Sequence, residues 1–268
     1  MLRIVVLLQL IIASIWAVDC KDLDSDEKIR TFFKETHKSN PLLKKNVSTS
    51  MDIKTNDKGK KELATIHSLR MEDKKRVFFV QGGHAPKCSI QKGDKDYICN
   101  ECSYKSSTIC RSYKAGSSNT KVSGTNINSK DFEILESKDF TNKCYPVKKN
   151  KKYIKIVSSK QAGDSVYDTV ISYYDKSKKV PVTMNYQSAK VLKKVYRFFP
   201  KYYIQIDGEW VSTVSRVRSV NGSEKKYSFE TLTYVKKDGA GKYLLYTNPT
   251  ADPLISKTNI KQLFNTNR

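Results

Sequence analysis

Six cysteines could form disulfides, bind a metal or exchange electrons. They are Cys20, Cys88, Cys99, Cys102, Cys110 and Cys144. An even number of cysteines behind an export signal favours disulfides, because thiols oxidise outside the cytoplasm. Four of them lie within residues 88–110, and we expect these four to bridge among themselves. Cys20 and Cys144 would then form the remaining pair and tie the amino terminus to the distal part of the chain.

Two other uses of these cysteines compete with disulfides. Cys99-Asn100-Glu101-Cys102 has the spacing of a zinc knuckle, and Cys88 and Cys110 could complete a set of four thiolates. Their distances from the central pair differ from a standard pair of knuckles. Redox exchange would need the Cys-x-x-Cys pair to follow a strand and begin a helix, and no such pattern surrounds it. Disulfides therefore remain the preferred interpretation.

The three histidines, His37, His67 and His84, give no catalytic pattern. His37 falls near the end of a predicted helix, His67 within a strand pattern, and His84 in a glycine-rich loop. None has metal-ligand spacing to a neighbour, and no hydrolase or phosphate-binding motif occurs. A hydrolase would need a nucleophile beside a buried base, and the sequence gives no such pair. We predict no catalytic residue, no metal and no cofactor.

Apolar and aromatic side chains in the carboxy-terminal half are candidates for lining a ligand cavity. Alternation places apolar residues on both faces of the predicted strands, so the sheet must be covered on both faces or curl around an interior. A small curled sheet fills its interior with side chains or holds a ligand. The candidate cavity residues are Tyr202, Ile204, Ile206, Trp210, Tyr227 and Phe229, and core packing is an equally good role for each.

One helix and many short strands would position these groups. Asp24 and Glu27 have capping-box spacing, and Ile29, Phe32 and Phe33 form one apolar stripe of a helix that ends before Pro41. Strands are expected near residues 47–54, 62–71 and 76–80. Further strands are expected near residues 132–136, 153–157, 166–174, 182–187, 191–199, 202–206, 210–220, 226–235 and 242–247, with a last short helix near 259–264.

Turn signals between these segments indicate consecutive hairpins. Asp207-Gly208, Asn221-Gly222 and Asp238-Gly239 each suit a tight turn with positive φ, and such turns join antiparallel neighbours. The fold class predicted is mainly β with a few helices (α+β): a strongly curved antiparallel sheet or open half-barrel with covering helices. Residues 81–130 are rich in Ser, Lys, Gly, Asn and Cys without periodicity, and they read as a Cys-rich insertion or loop.

The first residues have the features of a signal peptide. A single basic residue, Arg3, precedes an apolar run over residues 4–12, and small residues follow up to Ala17. The run is too short for a membrane span, which needs about 20 residues. We expect cleavage near Ala17 and one domain over residues 18–268. Lipidation of Cys20 is disfavoured, because Asp19 precedes it where acylation signals carry a small residue.

Positive charge is the dominant feature of the composition. Fifty Lys and Arg face 27 Asp and Glu, a formal net charge of +23. Such a charge favours anionic partners, among them an anionic membrane surface or nucleic acid. The excess is mostly scattered lysine, as on an ordinary solvated surface, and arginine, the better phosphate ligand, is sparse. We expect no specific nucleic acid partner.

The segment from Cys144 to Val235 resembles the bacterial outer-membrane lipoprotein-sorting (LolA/LolB-like) family. The resemblance lies in Lys143-Cys144-Tyr145-Pro146-Val147, Tyr167 to Asp175, Val180-Pro181-Val182-Thr183-Met184, Val191 to Tyr196, Ile206-Asp207-Gly208-Glu209-Trp210-Val211 and Phe229-Glu230-Thr231-Leu232-Thr233. It implies an open curved sheet with helices over its concave face and an apolar cavity for acyl chains. The Cys-rich insertion departs from the family pattern.

Together these features predict an exported, periplasmic, monomeric protein that is not an enzyme. It would carry the acyl chains of a lipid or lipoprotein in an apolar cavity with a basic rim. The alternative is a basic secreted interaction module that binds a protein or envelope partner through residues 81–130.

Overall fold

A computed structural model describes residues 17–39, 46–71, 74–81, 87–92, 95–99, 110–114, 125–127, 131, 133–163, 165–221 and 226–255. It contains one α-helix, α1 (Asp26–Ser39), and a long series of strands. The strands are β1 (Val47–Asp57), β2 (Lys60–Met71), β3 (Lys74–Gln81), β4 (Lys87–Lys92), β5 (Lys95–Cys99), β6 (Cys110–Lys114), β7 (Phe140–Pro146), β8 (Tyr153–Lys160), β9 (Thr169–Asp175), β10 (Val180–Ser188), β11 (Val191–Phe198), β12 (Tyr203–Ile206), β13 (Glu209–Ser212), β14 (Val214–Asn221), β15 (Lys226–Val235) and β16 (Leu245–Tyr246).

Fourteen of the described strands form one antiparallel sheet. Their order is β6-β5-β4-β3-β2-β1-β15-β14-β11-β10-β9-β8-β7, and β16 pairs with β1 beyond the end of β15. The strands β12 and β13 form a separate hairpin. Since the terminal strands β6 and β7 do not pair with each other, the described sheet is not closed. The predicted fold class, an open antiparallel sheet with a covering helix, is confirmed.

The predicted Asp207-Gly208 turn and a second tight turn, at Lys58-Gly59, have the backbone conformation that their residues suggest. Lys58 and Gly59 between β1 and β2 have φ of 48° and 98°, and Asp207 and Gly208 between β12 and β13 have φ of 51° and 81°. Positive φ at both central positions matches the twist of the flanking strands, so the turns set the register of each hairpin. The predicted Asn221-Gly222 turn lies partly outside the described residues. At the predicted Asp238-Gly239 turn the prediction is wrong in detail, because Gly241, with φ of 80°, takes the positive φ instead of Asp238 or Gly239.

The sheet has an inner face, which packs against α1, and an outer face on the opposite side. The inner face carries buried residues that lie opposite one another on neighbouring strands, such as Met184, Tyr196 and Val217. The predicted stripe of α1 packs here: Ile29 and Phe33 are almost fully buried, and the Phe32 ring meets the Tyr174 ring edge-on at 5.1 Å. No helix among the described residues is long and apolar enough to cross a membrane.

The start of the chain is fastened to the edge strand β7. Cys20 and Cys144 form a disulfide, as predicted. Ser25 caps α1 by accepting a hydrogen bond from the backbone N–H of Lys28, so the cap lies one residue beyond the predicted Asp24. The Asp26 carboxylate accepts from the backbone N–H of Asn142, 2.8 Å away, while Arg30 donates to the carbonyl of Phe140. These contacts occupy edge groups of β7 that would otherwise be open to pairing.

Some predicted elements differ from those of the structure. Residues 133–136 form a 3₁₀ turn (Glu133–Glu136) instead of a strand. The strand predicted over 210–220 is divided into β13 and β14, because both the N–H and the hydroxyl of Thr213 donate to the carbonyl of Tyr202 and bend the chain. Strand β7 was not predicted. The helix predicted near 259–264 and the signal peptide lie outside the described residues.

Residues 81–130 hold more regular structure than the sequence indicated. Strands β4, β5 and β6 extend the sheet beyond β3, although this segment shows no alternation of apolar and polar residues. The register places the backbones of Cys88, Cys99 and Cys110 opposite one another on the three strands. Cys102 lies outside the described residues, as do the side chains of the other three, so their bridging stays a prediction.

The Cys20–Cys144 disulfide should contribute much of the stability of this domain. Cys20→Ser with Cys144→Ser should lower the free energy of unfolding by about 4–5 kcal/mol, because a bridge across a separation of 124 residues restricts the unfolded chain. Urea unfolding followed by circular dichroism measures this. The matched control, Ser159→Ala with Ser188→Ala, should change stability far less. A loss below about 1 kcal/mol for the cysteine variant would contradict the prediction.

Candidate ligand-binding groove

A groove lies between α1, the β9–β10 turn and the β12–β13 hairpin. Its volume is about 1010 Å³. The apolar part of its lining consists of Val18, Leu23, Phe32, Val180, Pro181, Phe198 and Trp210. Ligand pockets for small molecules have volumes of roughly 300–1,000 Å³, so this groove has the size of a ligand pocket. Its lining combines these apolar residues with a larger number of polar and charged side chains.

The elements around the groove are held in place by specific contacts. Tyr203, at the start of β12, donates its hydroxyl to the carbonyl of Pro181 at 2.5 Å, which joins the hairpin to β10. The ammonium group of Lys178 lies 3.9 Å from the centre of the Trp210 ring and 5.3 Å from that of Tyr203. This cation–π contact fixes the indole beside the groove. The residue pattern that forms the hairpin therefore also places Trp210.

Charged side chains of both signs line the mouth of the groove. Four are carboxylates and three are ammonium groups: Asp22, Glu27, Glu35, Glu209, Lys28, Lys178 and Lys179. The sequence, with a net charge of +23, led us to expect a basic rim. The acidic members come mainly from α1 and the residues before it, where carboxylates suit the amino-terminal end of a helix. The groove is thus suited to a ligand with a zwitterionic or mixed-charge end.

The structure brings one of the six predicted cavity residues, Trp210, to this groove. Ile206 packs against a second apolar cluster of Val47, Val235 and Leu245. Ile204 is half-buried on the same strand. Tyr202 lies in the 3₁₀ turn before β12 and is exposed.

The last two predicted cavity residues lie on opposite faces of the sheet. Phe229 is opposite Ser219, whereas Tyr227 is opposite Val220, because the register shifts between these two positions of β14. The shift brings the Tyr227 ring to 4.5 Å from the guanidinium of Arg218, and this ring is half exposed. A residue pattern with a period of two places the two aromatic residues together, and only the bulge separates them.

The middle of the inner face is filled by the chain itself. The Asp131 carboxylate accepts a hydrogen bond from the ammonium of Lys194 at 2.8 Å and another from the hydroxyl of Tyr196. The carbonyl of Asp131 accepts from the hydroxyl of Tyr186 at 2.8 Å. Asn126 lies nearby and donates to Ser219 and to the carbonyl of Phe229. This part of the sheet is therefore covered, whereas the groove beside α1 is open.

The buried charges of this cluster shape the ionisation of its tyrosines. Burial, together with the Asp131 carboxylate, raises the pKa of the Tyr186 and Tyr196 hydroxyls well above their ordinary value. Both hydroxyls therefore remain donors at any physiological pH. Neither Asp131 nor Lys194 was predicted as a site residue from the sequence. The pair Lys193-Lys194 could have indicated a buried lysine, because two consecutive residues of a strand face opposite sides and one of them must face inward.

His67 belongs to a buried cluster that joins the sheet to the last described segment. Its Nε2 lies 2.8 Å from the Ser48 hydroxyl and 2.9 Å from the Asp252 carboxylate, and Ser48 donates to Asp252. Serine and aspartate thus contact the same ring nitrogen, whereas a catalytic triad uses opposite nitrogens. All three side chains are almost fully buried. The side chain of His37 and the whole of His84 lie outside the described residues.

The Asp131–Lys194 pair should be strongly coupled. Asp131→Asn or Lys194→Met alone should lower the free energy of unfolding by about 3–5 kcal/mol, because each leaves a buried charge without its partner. The double variant should lose much less than the sum of the two. Urea unfolding of the four proteins in a double-mutant cycle measures the coupling, and additive losses would show that the two side chains act independently.

Asp252 should make stability depend on pH in the acid range. Burial acts to raise its pKa, but hydrogen bonds from His67 and Ser48 outweigh burial and lower the pKa below its ordinary value of 3.8. The charge therefore stabilises the fold above about pH 4, and this contribution is lost as the pH falls through the lowered pKa. Asp252→Asn should destabilise at neutral pH and approach the wild type in acid.

Thermal unfolding of wild type and Asp252→Asn between neutral and acid pH measures this effect. Asp207→Asn is the matched control, because Asp207 is an exposed carboxylate in a tight turn where asparagine also accepts positive φ. A stability difference for Asp252→Asn that stays constant with pH would contradict the prediction.

Comparison with known proteins identifies the fold. No protein-family model matches the sequence, and no curated protein does. The structure resembles a LolA superfamily protein from Nitrosomonas europaea, with a TM-score of 0.56 and 11% identity over 77% of this chain and 90% of that one. It also resembles a putative outer membrane lipoprotein-sorting protein domain from Vibrio parahaemolyticus, with a TM-score of 0.53 and 13% identity over 78% and 90% of the two chains.

A third solved structure, a DUF1329 family protein from Desulfovibrio piger, gives a TM-score of 0.52 and 12% identity over 77% of this chain and 90% of that chain. All three likenesses span most of both chains at an identity that carries information on fold alone. The open antiparallel sheet, with its helix over the inner face, has the LolA-like fold that the sequence resemblance implied.

Proposed function

We propose that this protein is an exported binding protein that holds the acyl chain of a lipid or lipoprotein in the groove beside α1. The observation that carries the proposal is the groove itself, with its apolar side chains and its volume of about 1010 Å³. Burial of each methylene of an acyl chain contributes about 0.8 kcal/mol, so a groove of this size offers enough apolar surface for useful affinity.

The likeness in fold to a putative outer membrane lipoprotein-sorting domain supports the same function. In this proposal the acyl chain lies along Phe32, Phe198 and Trp210, while its polar end meets the carboxylates and ammonium groups at the mouth. The protein acts as a passive carrier without catalysis, and its place is the periplasm or cell envelope.

A second candidate function is partner binding through residues 81–130. The strand β6 ends the described sheet, and an edge strand can pair with an extended segment of another protein. This function would not use the groove. It predicts that a groove variant keeps full partner binding, whereas the carrier proposal predicts that such a variant loses its ligand.

The groove provides its own reporter for the test. The sequence contains two tryptophans, and cleavage near Ala17 would leave Trp210 as the single one. Titration of the mature protein with a dansyl-labelled fatty acid should give saturable energy transfer from Trp210, because donor and acceptor would share the groove. Absence of saturable transfer and of any rise in dansyl emission would exclude acyl-chain binding here.

Variants locate the site of binding. Trp210→Ala should weaken binding by about tenfold, as measured by dansyl emission, since about 1.4 kcal/mol of apolar contact is lost. Tyr227→Ala is the matched control, because this aromatic residue lies on the outer face beside Arg218 and not in the groove. Equal losses for the two variants would place the ligand elsewhere.

A further inference from the structure

Three arginines lie side by side on the outer face of the sheet. Arg197 of β11 is directly opposite Arg216 of β14, and Arg218 follows two residues later on the same strand. All three point away from the inner face, because their neighbours Tyr196 and Val217 are buried there. Three of the nine arginines of the chain therefore form one cluster, which we name the arginine patch.

The arginine patch is not neutralised by its surroundings. Directly opposed like charges destabilise a sheet, so Arg197 and Arg216 face each other at a cost. One carboxylate, Glu230, is directly opposite Arg218 and hydrogen-bonded to it, and it lies 3.7 Å from Nε of Arg216. Three guanidinium groups against one carboxylate leave an excess of two positive charges. Nε of Arg216 is buried, and no acceptor among the described residues lies within hydrogen-bond distance.

Aromatic side chains hold these cations on the surface. The guanidinium of Arg218 lies 4.5 Å from the Tyr227 ring centre, and that of Arg216 lies 5.4 Å from the Phe199 ring centre. Lys54 on β1 lies 5.4 Å from the Tyr234 ring. Such cation–π contacts fix the cations in place, so less side-chain freedom is lost when an anion binds.

We infer that the arginine patch docks this protein onto the phosphate groups of an anionic phospholipid bilayer. A planar guanidinium donates two parallel hydrogen bonds to a phosphate, and clustered cations add the long-range attraction of a negative surface. The patch is continuous with Lys54 and with exposed apolar groups on the same face. Leu63, opposite Lys54, is 56% exposed, and Tyr227 is 50% exposed.

Cations interleaved with exposed leucine and tyrosine suit the interface of a bilayer, where the rings sit at the level of the headgroups. A single-stranded nucleic acid needs free aromatic faces on which its bases stack. Here the faces of Tyr227 and Tyr234 are taken by Arg218 and Lys54. The surface also lies on the outside of the open sheet rather than in a channel. Bilayer docking is thus favoured over nucleic acid binding.

The docking surface is separate from the groove. The neighbouring residues Arg197 and Phe198 face opposite sides of the sheet, with Phe198 in the groove. Bilayer docking can therefore be tested without any assumption about the groove ligand.

Vesicle co-sedimentation tests the inference. The mature protein is mixed with vesicles of phosphatidylcholine alone, or with about a quarter of phosphatidylglycerol. We expect binding only to the anionic vesicles, falling as salt rises. Arg197→Gln, Arg216→Gln and Arg218→Gln together should lower partition by about tenfold or more, since each cation near an anionic leaflet contributes on the order of a fivefold preference. Glu230→Gln should raise it.

The matched control removes the same charge elsewhere. Lys148→Gln, Lys149→Gln and Lys151→Gln change three exposed lysines in the β7–β8 turn, and should lower partition by less than about threefold, because the residual effect is long-range charge only. Arg197→Gln alone removes the repulsion between Arg197 and Arg216 at an exposed position, so this variant should fold normally. It should nevertheless bind anionic vesicles less well than the wild type. Equal losses for the arginine and lysine variants would overturn the inference.

Two further outcomes would also overturn it. Equal binding to neutral and anionic vesicles would show that phosphate charge is not recognised. Tighter binding to a single-stranded oligonucleotide than to anionic vesicles, lost in the same arginine variants, would assign the patch to nucleic acid instead.

Discussion

Within the described parts of the chain, three separate segments lie across the inner face of the open sheet and bury it. The helix α1 covers one part through Phe32 and Tyr174, the segment around Asp131 covers the middle, and the β12–β13 hairpin covers the part near Val235. A closed barrel would bury its interior by strand pairing alone, but here the strands at the two ends of the sheet remain apart. The filled interior and the groove both follow from how these three segments fit against the sheet.

Where the covering segments pack closely against the sheet, the interior is filled. Where α1 and the β12–β13 hairpin lie apart, a groove remains. The contact in the middle uses a buried ion pair between Asp131 and Lys194, with Tyr186 and Tyr196 as further donors. Such a cluster has only one satisfied arrangement, so it holds the cover in a single position. The groove is left between α1 and the hairpin, with Trp210 on its wall. The groove is thus a consequence of imperfect coverage.

The charge of the chain is unevenly divided between these surfaces. The groove mouth combines carboxylates with ammonium groups, although the chain as a whole carries +23. The outer face concentrates arginines around a single carboxylate, Glu230. Composition alone suggested a uniformly solvated positive surface, because it averages over both faces. A carrier that approaches a membrane through its outer face and keeps its ligand on the inner one would use this division.

Local patterns in the sequence determined several elements of this protein. The stripe Ile29, Phe32 and Phe33 predicted α1, Asp207-Gly208 predicted a tight hairpin, and an even cysteine count led to the Cys20–Cys144 pair, because each depends on residues whose chemistry or number can be read directly. Only the tertiary structure decided which faces meet. A one-residue bulge in β14 and β15 separates Tyr227 from Phe229, and the burial of Lys194 depends on a partner 63 residues away. Register and long-range pairing are properties of the whole sheet, so no local window of sequence contains them.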